Sequence, residues 1–379
     1  MSASPVIPVN EPVITPEAKQ YVMEALESGW VSSAGPFLQK FEEGFARAIG
    51  VKHATLTTSG TTALHLALVS LGVGPGDEVI VPDFTMIATV FAVMYTGATP
   101  VFVDVDPETY NIDPAKLAAK ITARTKVIVP VHLFGHSCDM DPILALARER
   151  HIAVLEDAAE AHGATYKGKT CGSFGTMSAF SFYGNKIITT GEGGMLCTND
   201  DALAERMRSL KDLSHSPKQR FLHEQVGFNY RVTNLQAALG LGQLEHIEEF
   251  LGKKRAMTAG YHRQLQGIPG LHLPVTKEYA GNVFWMYAVR VDRTFGMTRD
   301  ALRAALKERG IDTRDFFLPC HSQPAVAKRF PTQESFPVTE RIATEGFYLP
   351  SGLAITDEQI TQVCDAIRSL APARSPQSK

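Results

Sequence analysis

Neither sign of charge dominates this chain of 379 residues. Lysine and arginine number 37, aspartate and glutamate 40, for a formal charge of −3. A protein whose main partner is nucleic acid or an anionic membrane needs a basic surplus, so neither is expected as a partner. Cysteine is sparse: Cys138, Cys171, Cys197, Cys320 and Cys364 make an odd number with no C-x-x-C pair. That argues against a disulfide framework or a zinc ribbon and fits reduced thiols in a cytoplasm. The opening MSASPVIPVNEP has neither a basic stretch nor an apolar run, so no signal peptide is expected. One uncharged run, Phe84–Val103, is long enough to span a bilayer. It contains Gly97, Pro100 and four threonines, and it divides into a buried helix over about Thr85–Tyr95, a turn, and a strand from Val101. No membrane span is therefore expected. There is no internal repeat and no low-complexity block.

What is present reads as an ordinary soluble globular chain, 44% hydrophobic and 20% charged. At roughly 100–200 residues per domain, the length suggests about two or three domains. Thr15 and Pro16 start a helix with Tyr21, Val22, Ala25 and Leu26 on one face. From about residue 50, apolar strands alternate with helices. The strands are Glu78–Val81, Pro100–Val105, Lys126–Val131, Ile152–Glu156, Ser178–Phe182 and Gly194–Thr198. The helices are Thr61–Leu71, Thr85–Tyr95, Pro114–Lys120 and Asp141–Glu149. This alternation predicts an α/β fold whose mainly parallel sheet is covered on both faces. A polar loop, Asp212–Val226, precedes a long helix over about Thr233–Leu265. Then the pattern changes. Phe284–Val291 is a strand, Thr298–Arg309 a helix, Thr313–Phe317 a short strand, and Thr356–Leu370 a helix opened by a Thr356/Gln359 capping box. The chain thus divides into a large domain, 1–250, and a smaller α+β domain, 251–379, on which the N-terminal segment can pack. The tail Ala373–Lys379 is expected to be disordered.

Several motif matches fail on their context. Gly163–Thr170, GATYKGKT, fits the P-loop pattern, but the CGSFGT that follows cannot start a helix, and Tyr166–Lys169 reads as a hairpin tip. His132 and His136 are four apart in VHLFGH, a spacing that pairs ligands only within a helix, so no metal site is expected. Gly72–Gly76, GVGPG, follows a helix and precedes a strand, the wrong order for a dinucleotide fingerprint.

Three features carry chemistry. Ser59-Gly60-Thr61-Thr62 stands where a helix begins, and free first-turn N–H groups beside hydroxyls make a phosphate site or an ordinary N-cap. Asp157 ends a predicted strand, and the carboxyl ends of parallel strands are where ligands bind, though a carboxylate there also serves as a helix cap. Lys186 is the only charge in the 22 residues Thr170–Gly191. It follows a buried-looking strand and precedes the flexible GEGG of Gly191–Gly194. Partial desolvation would lower its pKa and make it a better nucleophile and base. An anion clamp, a strand-end carboxylate and a desolvated lysine on one sheet are what pyridoxal phosphate (PLP) needs.

The stretches SGTTALHLAL, GPGDEVIVP, EDAAEAHGA, FSFYGNKIITTGEGGM and GFNYRVTNLQAALGLGQLE resemble fold-type-I PLP enzymes of the DegT/StrS sugar-aminotransferase family, from about Pro8 to Leu370. The resemblance implies a seven-stranded-type sheet flanked by helices plus a smaller α+β domain. SFYGNKIITTGEGGM and Trp30–Ser33 point to the branch that aminates C4 of a GDP-linked 4-keto-6-deoxy sugar for a surface glycan. By motif, Lys186 would carry the cofactor and then shuttle the proton, and Asp157 would keep the pyridine nitrogen protonated. Ser59, Gly60, Thr61 and Ser181 would bind the phosphate, Glu160 would lie beside the ring, and Asn229 would reach the phosphate from a neighbouring subunit of a homodimer or higher oligomer. Trp30, Ser32, Arg231 and His321 would contact the sugar substrate. L-Glutamate is the implied amino donor. The family places an aromatic residue after Pro82-Asp83-Phe84-Thr85 to stack on the pyridoxal ring, where this chain has Met86; a thioether can still contact a ring. The same fold also serves PLP-dependent sugar dehydratases, in which the lysine position is histidine. It serves regulators as well, but no DNA-binding segment is appended here. Amination of a sugar aldehyde or of a non-nucleotide sugar acid would use the same catalytic set. Specificity would lie in the loops Asp212–Val226 and Leu318–Phe330.

Overall fold

The computed structural model describes residues 6–216, 218–219 and 221–372. The tail Ala373–Lys379 and two positions of the predicted loop Asp212–Val226 lie outside the described residues. The large sheet is built from β1 (His53–Thr57), β2 (Glu78–Pro82), β3 (Thr99–Val103), β4 (Thr125–Ile128), β5 (Ala153–Asp157), β8 (Met177–Ser181) and β9 (Gly194–Thr198). Their spatial order is β1-β9-β8-β5-β4-β2-β3, and only β9 runs antiparallel to its neighbours. Both faces are buried, as the continuous apolar strands require. On β2, Val79 and Val81 join one core cluster while Ile80 between them joins another.

The short strands β6 (Thr165–Tyr166) and β7 (Lys169–Thr170) pair as the predicted hairpin, and β11 (Ala280–Gly281) adds to its edge. A second, antiparallel sheet has the order β10 (Leu271–His272), β12 (Tyr287–Val291), β14 (Gly346–Leu349), β13 (Arg314–Asp315). It packs a core of Tyr261, Tyr287, Leu302, Ile360 and Val363, which Ile7 joins from the N-terminal segment through a bridge to Ile311.

The helix Pro16–Glu27 is capped by Thr15, whose hydroxyl accepts the Ala18 N–H at 3.1 Å. The Thr356/Gln359 capping box opens the last helix as expected. Three expectations need correction. The long helix over Thr233–Leu265 is two helices, Asn234–Leu244 and Ile247–Leu265. His246 leaves helical geometry between them, its ring held by Glu17 at 2.8 Å and Glu249 at 3.1 Å. The helix expected from Thr85 begins at Ala88, because the segment before it is tied elsewhere: the Asp83 carboxylate accepts the backbone N–H of His321. Pro114–Lys120 is a pair of single 3-10 turns.

Candidate active site

A cavity of about 430 Å³ opens where the carboxyl ends of β5 and β8 meet the start of the helix Gly60–Ser70, and the small sheet forms its opposite wall. Its lining includes Ser59, Gly60, Thr61, Met86, Asp157, Glu160, Ser181 and Lys186. Residues 59 to 186 of the chain are thus brought to one place by the sheet order.

The helix start is shaped by a reciprocal cap. The Ser59 hydroxyl accepts the Thr62 N–H at 3.1 Å, and the Thr62 hydroxyl accepts the Ser59 N–H at 2.9 Å. Gly60 and Thr61 line the cavity in the first turn of the helix, where backbone N–H groups lack intrahelical partners and make a ready anion site. Gly60 is required by packing: a Cβ there would lie 2.8 Å from the Ser181 Cβ. The absent side chain lets the helix start approach β8 and puts the Ser181 hydroxyl beside it.

Asp157 ends β5 and is buried. One carboxylate oxygen accepts the Thr89 hydroxyl at 2.7 Å, the other the Ala159 N–H at 3.1 Å. Burial raises its pKa, and the bonds from Thr89 and Ala159 and the charge of Lys186 work against that. Both of these hydrogen-bond donors are neutral, and Asp157 lines the cavity, so its charge is available to a cationic N–H there.

Lys186 lies in the loop between β8 and β9 with its side chain 10% exposed. Burial lowers its pKa, while Glu160 and Asp157 act to raise it. Its Nζ is 3.7 Å from Glu160 Oε1 and 3.8 Å from the centre of the Trp285 ring. Burial pushes the Glu160 carboxyl up to about 7. The other Glu160 oxygen accepts the Phe134 N–H at 2.8 Å. Phe134 sits at a φ of 55°, in the left-handed region, which turns that N–H toward the carboxylate.

Behind this layer, buried Glu156 accepts N–H groups of Gly172, Phe174 and Gly175, each at 2.7 Å. His132 joins it at 3.0 Å through Nε2, its Nδ1 accepting the Cys138 N–H. The polar cluster around His132 thus anchors the strand-following loop. The five cysteines are buried and free.

The remaining expected residues stand outside the cavity lining. Trp30 is 57% exposed, and its carbonyl accepts from Asn234. Ser32 is exposed, with its carbonyl bound to the Asn234 N–H. Asn229 is exposed and bridges to Asp212, the residue that pairs with Arg231. The His321 ring is bound to Asp83 at 2.7 Å. Met86 lines the cavity and is half-exposed at its edge.

Sequence reasoning missed Thr89, Trp285, Arg314 and Tyr348, all of which line the cavity. Trp285 is one of only two tryptophans, a signal that was available. Its Nε1–H donates to the Asn185 carbonyl at 2.8 Å, which ties the lysine loop to the small-sheet side.

The profile of the DegT/DnrJ/EryC1/StrS aminotransferase family matches residues 12–368. The chain is 47% identical over 371 residues to the GDP-perosamine synthase of Caulobacter vibrioides, spanning 97% of this chain and 99% of that one. It is 43% identical over 361 residues to the GDP-perosamine synthase of Escherichia coli O157:H7, spanning 95% and 97%. The crystal structure of S. venezuelae DesV in complex with a ketimine intermediate matches with a TM-score of 0.91 and 38% identity, covering 98% of this chain and 100% of that one.

Proposed function

The chain belongs to the DegT/DnrJ/EryC1/StrS aminotransferase family, and from that membership we propose that it moves an amino group from L-glutamate to C4 of a nucleotide-linked 4-keto-6-deoxyhexose, GDP-linked before dTDP-linked. It is a PLP-dependent enzyme that aminates a keto sugar. The observation that carries the finer reading is the identity to two GDP-perosamine synthases over almost the whole chain.

The residues at the cavity fit the cofactor. A helix start with free N–H groups and two serine hydroxyls suits a phosphate, a buried carboxylate with only neutral donors suits a protonated ring nitrogen, and a desolvated amine suits a carbonyl. When bound, PLP supplies the electron sink that makes the donor's Cα proton acidic. In this reading Gly60 and Thr61 N–H groups, with the Ser59 and Ser181 hydroxyls, hold the phosphate. Asp157 holds a proton on the pyridine nitrogen, and burial strengthens that pairing. Lys186 Nζ takes the Cα proton of the donor and delivers the proton in the reverse sense on the sugar carbon. Glu160 steadies the Lys186 ammonium between these steps, and the walls of Trp285 and Tyr348 exclude water. Lys186 also speaks for transamination over dehydration, whose branch carries histidine at this position.

The active unit in this reading is at least a homodimer. Asn229 is exposed and away from its own cavity, which suits a residue that serves a neighbour's phosphate site. Leu222 and Val226 on the same loop, and Trp30 and Val31 on the segment between the helices Pro16–Glu27 and Pro36–Ile49, are exposed large apolar groups, as an interface requires. Among the described residues, no helix is long and apolar enough to cross a membrane. A cytoplasmic enzyme feeding a bacterial surface polysaccharide completes the proposal.

An acceptor panel tests it. With PLP and glutamate present, 2-oxoglutarate is measured against GDP- and dTDP-linked 4-keto-6-deoxy sugars and a free oxidised sugar acid. Turnover with the nucleotide sugars is expected. Turnover with the free sugar acid alone would replace the acceptor while keeping the aminotransferase.

A further inference from the structure

Two groups face the Lys186 ammonium: the Glu160 carboxylate at 3.7 Å, and the Trp285 ring with its centre at 3.8 Å. The hydrogen bonds around Trp285 give it more than a wall's part. Its backbone N–H donates to the Phe134 carbonyl at 2.9 Å, and the Phe134 N–H donates to Glu160 Oε2 at 2.8 Å. A single residue, Phe134, thus spans both partners of the ammonium and sets the gap between them. It does so in the left-handed region, at a φ of 55°, where a bulky residue is strained. Gly135 beside it lets the two segments approach, since a Cβ there would lie 3.0 Å from the Trp285 nitrogen.

The indole edge makes a second tie. Nε1–H donates at 2.8 Å to the carbonyl of Asn185, the residue immediately before Lys186. The same carbonyl accepts the Asn10 side-chain amide at 2.7 Å. Asn10 is held from both sides: the Val9 carbonyl accepts the Ser351 N–H at 2.8 Å, and Gly352 packs its backbone against Glu11. The Trp285 carbonyl is taken by Lys254 at 2.8 Å. Every polar group of Trp285 is therefore paired, and the residue is 4% exposed. Its ring is fixed relative to the lysine it faces.

The lysine needs such a fixed partner. Lys186 gives up the cofactor's carbonyl carbon when the donor's amine takes its place. The freed amine then accepts the donor's Cα proton, while the electrons of that C–H bond pass to the cofactor ring. It is now a cation on a flexible four-carbon stem. Glu160, whose carboxyl burial pushes up to about 7, can take the proton from it. An indole face attracts an ammonium and cannot accept its proton.

We propose that Trp285 is the positioning residue for the freed Lys186, its face holding the ammonium and its N–H fixing the peptide that carries the lysine. The inference rests on the aminotransferase reading and adds to it what holds the amine between its two proton transfers.

Three variants test it. Trp285→Phe keeps a ring face and removes the N–H; Trp285→Leu removes both. Asn10→Leu, outside the cavity lining, removes the other donor to the Asn185 carbonyl. First, cofactor-free protein is mixed with PLP and the absorbance of the lysine-bound cofactor is timed. Capture should slow about tenfold or more in Trp285→Leu, and about three- to tenfold in Trp285→Phe and Asn10→Leu. Second, single turnovers are run with ordinary and Cα-deuterated glutamate. The limiting rate should fall by similar factors, with the glutamate dissociation constant held within about twofold. The isotope effect should rise, because a misplaced amine slows proton transfer relative to the steps around it. A tryptophan that only excludes water would leave capture and the isotope effect as in wild type, and that result would overturn the proposal. If the Trp285 variants do not fold, wild-type capture and isotope effect in Asn10→Leu would overturn it equally. In these cases wild-type release of 2-oxoglutarate from glutamate still upholds the aminotransferase. Absence of that release from wild type would instead sink the aminotransferase reading, and the inference with it.

Discussion

The ammonium of Lys186 stands 3.8 Å from the centre of the Trp285 ring, and the carbonyl of the same tryptophan accepts a hydrogen bond from Lys254 at 2.8 Å. Two lysines therefore meet one residue, one at its ring and one at its carbonyl. Burial lowers the pKa of both, that of Lys254 to about 7. Only Lys186 lines the cavity; Lys254 donates to the Trp285 and Ser351 carbonyls and holds the small-sheet wall. A lowered pKa does not by itself distinguish a reactive amine. The cavity does.

Asp157→Asn should leave cofactor binding in place and cut the glutamate half reaction by roughly a hundredfold or more. The amide can keep a bond to Thr89 but carries no charge to hold a proton on the ring nitrogen. Single-turnover absorbance with glutamate checks this. Near-normal rates would show that Asp157 only caps the segment after β5, through Ala159.

Glu160 gives a stability signature against pH. Burial raises its carboxyl from an ordinary 4.5 to about 7 in the folded protein. A raised folded pKa contributes stability below the unfolded value and loses it as pH rises through the folded one. Relative to Glu160→Gln, the cofactor-free wild type should therefore lose roughly 3 kcal/mol between pH 4.5 and about 7. Denaturant midpoints of the two proteins across that window are the measurement, and parallel curves would contradict the assignment.

Gly60→Ala should weaken cofactor retention at little cost to the fold outside the site. The new methyl would meet the Ser181 Cβ at 2.8 Å, and overpacking of that kind costs about 1–3 kcal/mol. The strain falls on the junction between the helix start and β8. Dialysis followed by the residual absorbance of bound PLP reads the effect.

Shared sites predict complementation. Lys186→Ala and Asn229→Ala subunits, each inactive alone, should recover part of the activity when mixed, because one site of a hybrid is intact. A monomer that is fully active at assay concentration rules this out.

The large-sheet side of the site was legible because it is local. Lys186 stands alone in 22 residues, Asp157 closes an apolar strand, and Ser59–Thr62 opens a helix. Each is a signal of a few neighbouring residues. Arg314, Tyr348 and Trp285 come from strands and turns about a hundred residues or more further on, and only the docking of the small sheet brings them to Lys186. Nothing in their own surroundings marks them. His321 shows the opposite case: a plausible substrate contact by sequence, it is bound instead by the Asp83 carboxylate, a partner 238 positions away. In the fold, β1 was hidden by its length of five residues and its alternating threonines. The helix Pro36–Ile49 carries a readable signal, Pro36 with Phe37, Phe41 and Phe45 at four-residue spacing, which the strand–helix alternation from residue 50 does not include. The break at His246 depends on Glu17, more than two hundred residues away, and so escaped any local rule.

The central claim is that Lys186, and not the more deeply buried Lys254, carries the cofactor. Borohydride reduction of the PLP-loaded enzyme, followed by peptide mass mapping, tests it directly. The pyridoxyl group should be found on the peptide containing Lys186, and Lys186→Ala should abolish both that label and turnover while remaining folded. A label on Lys254, or full activity and a retained label in Lys186→Ala, would contradict the account.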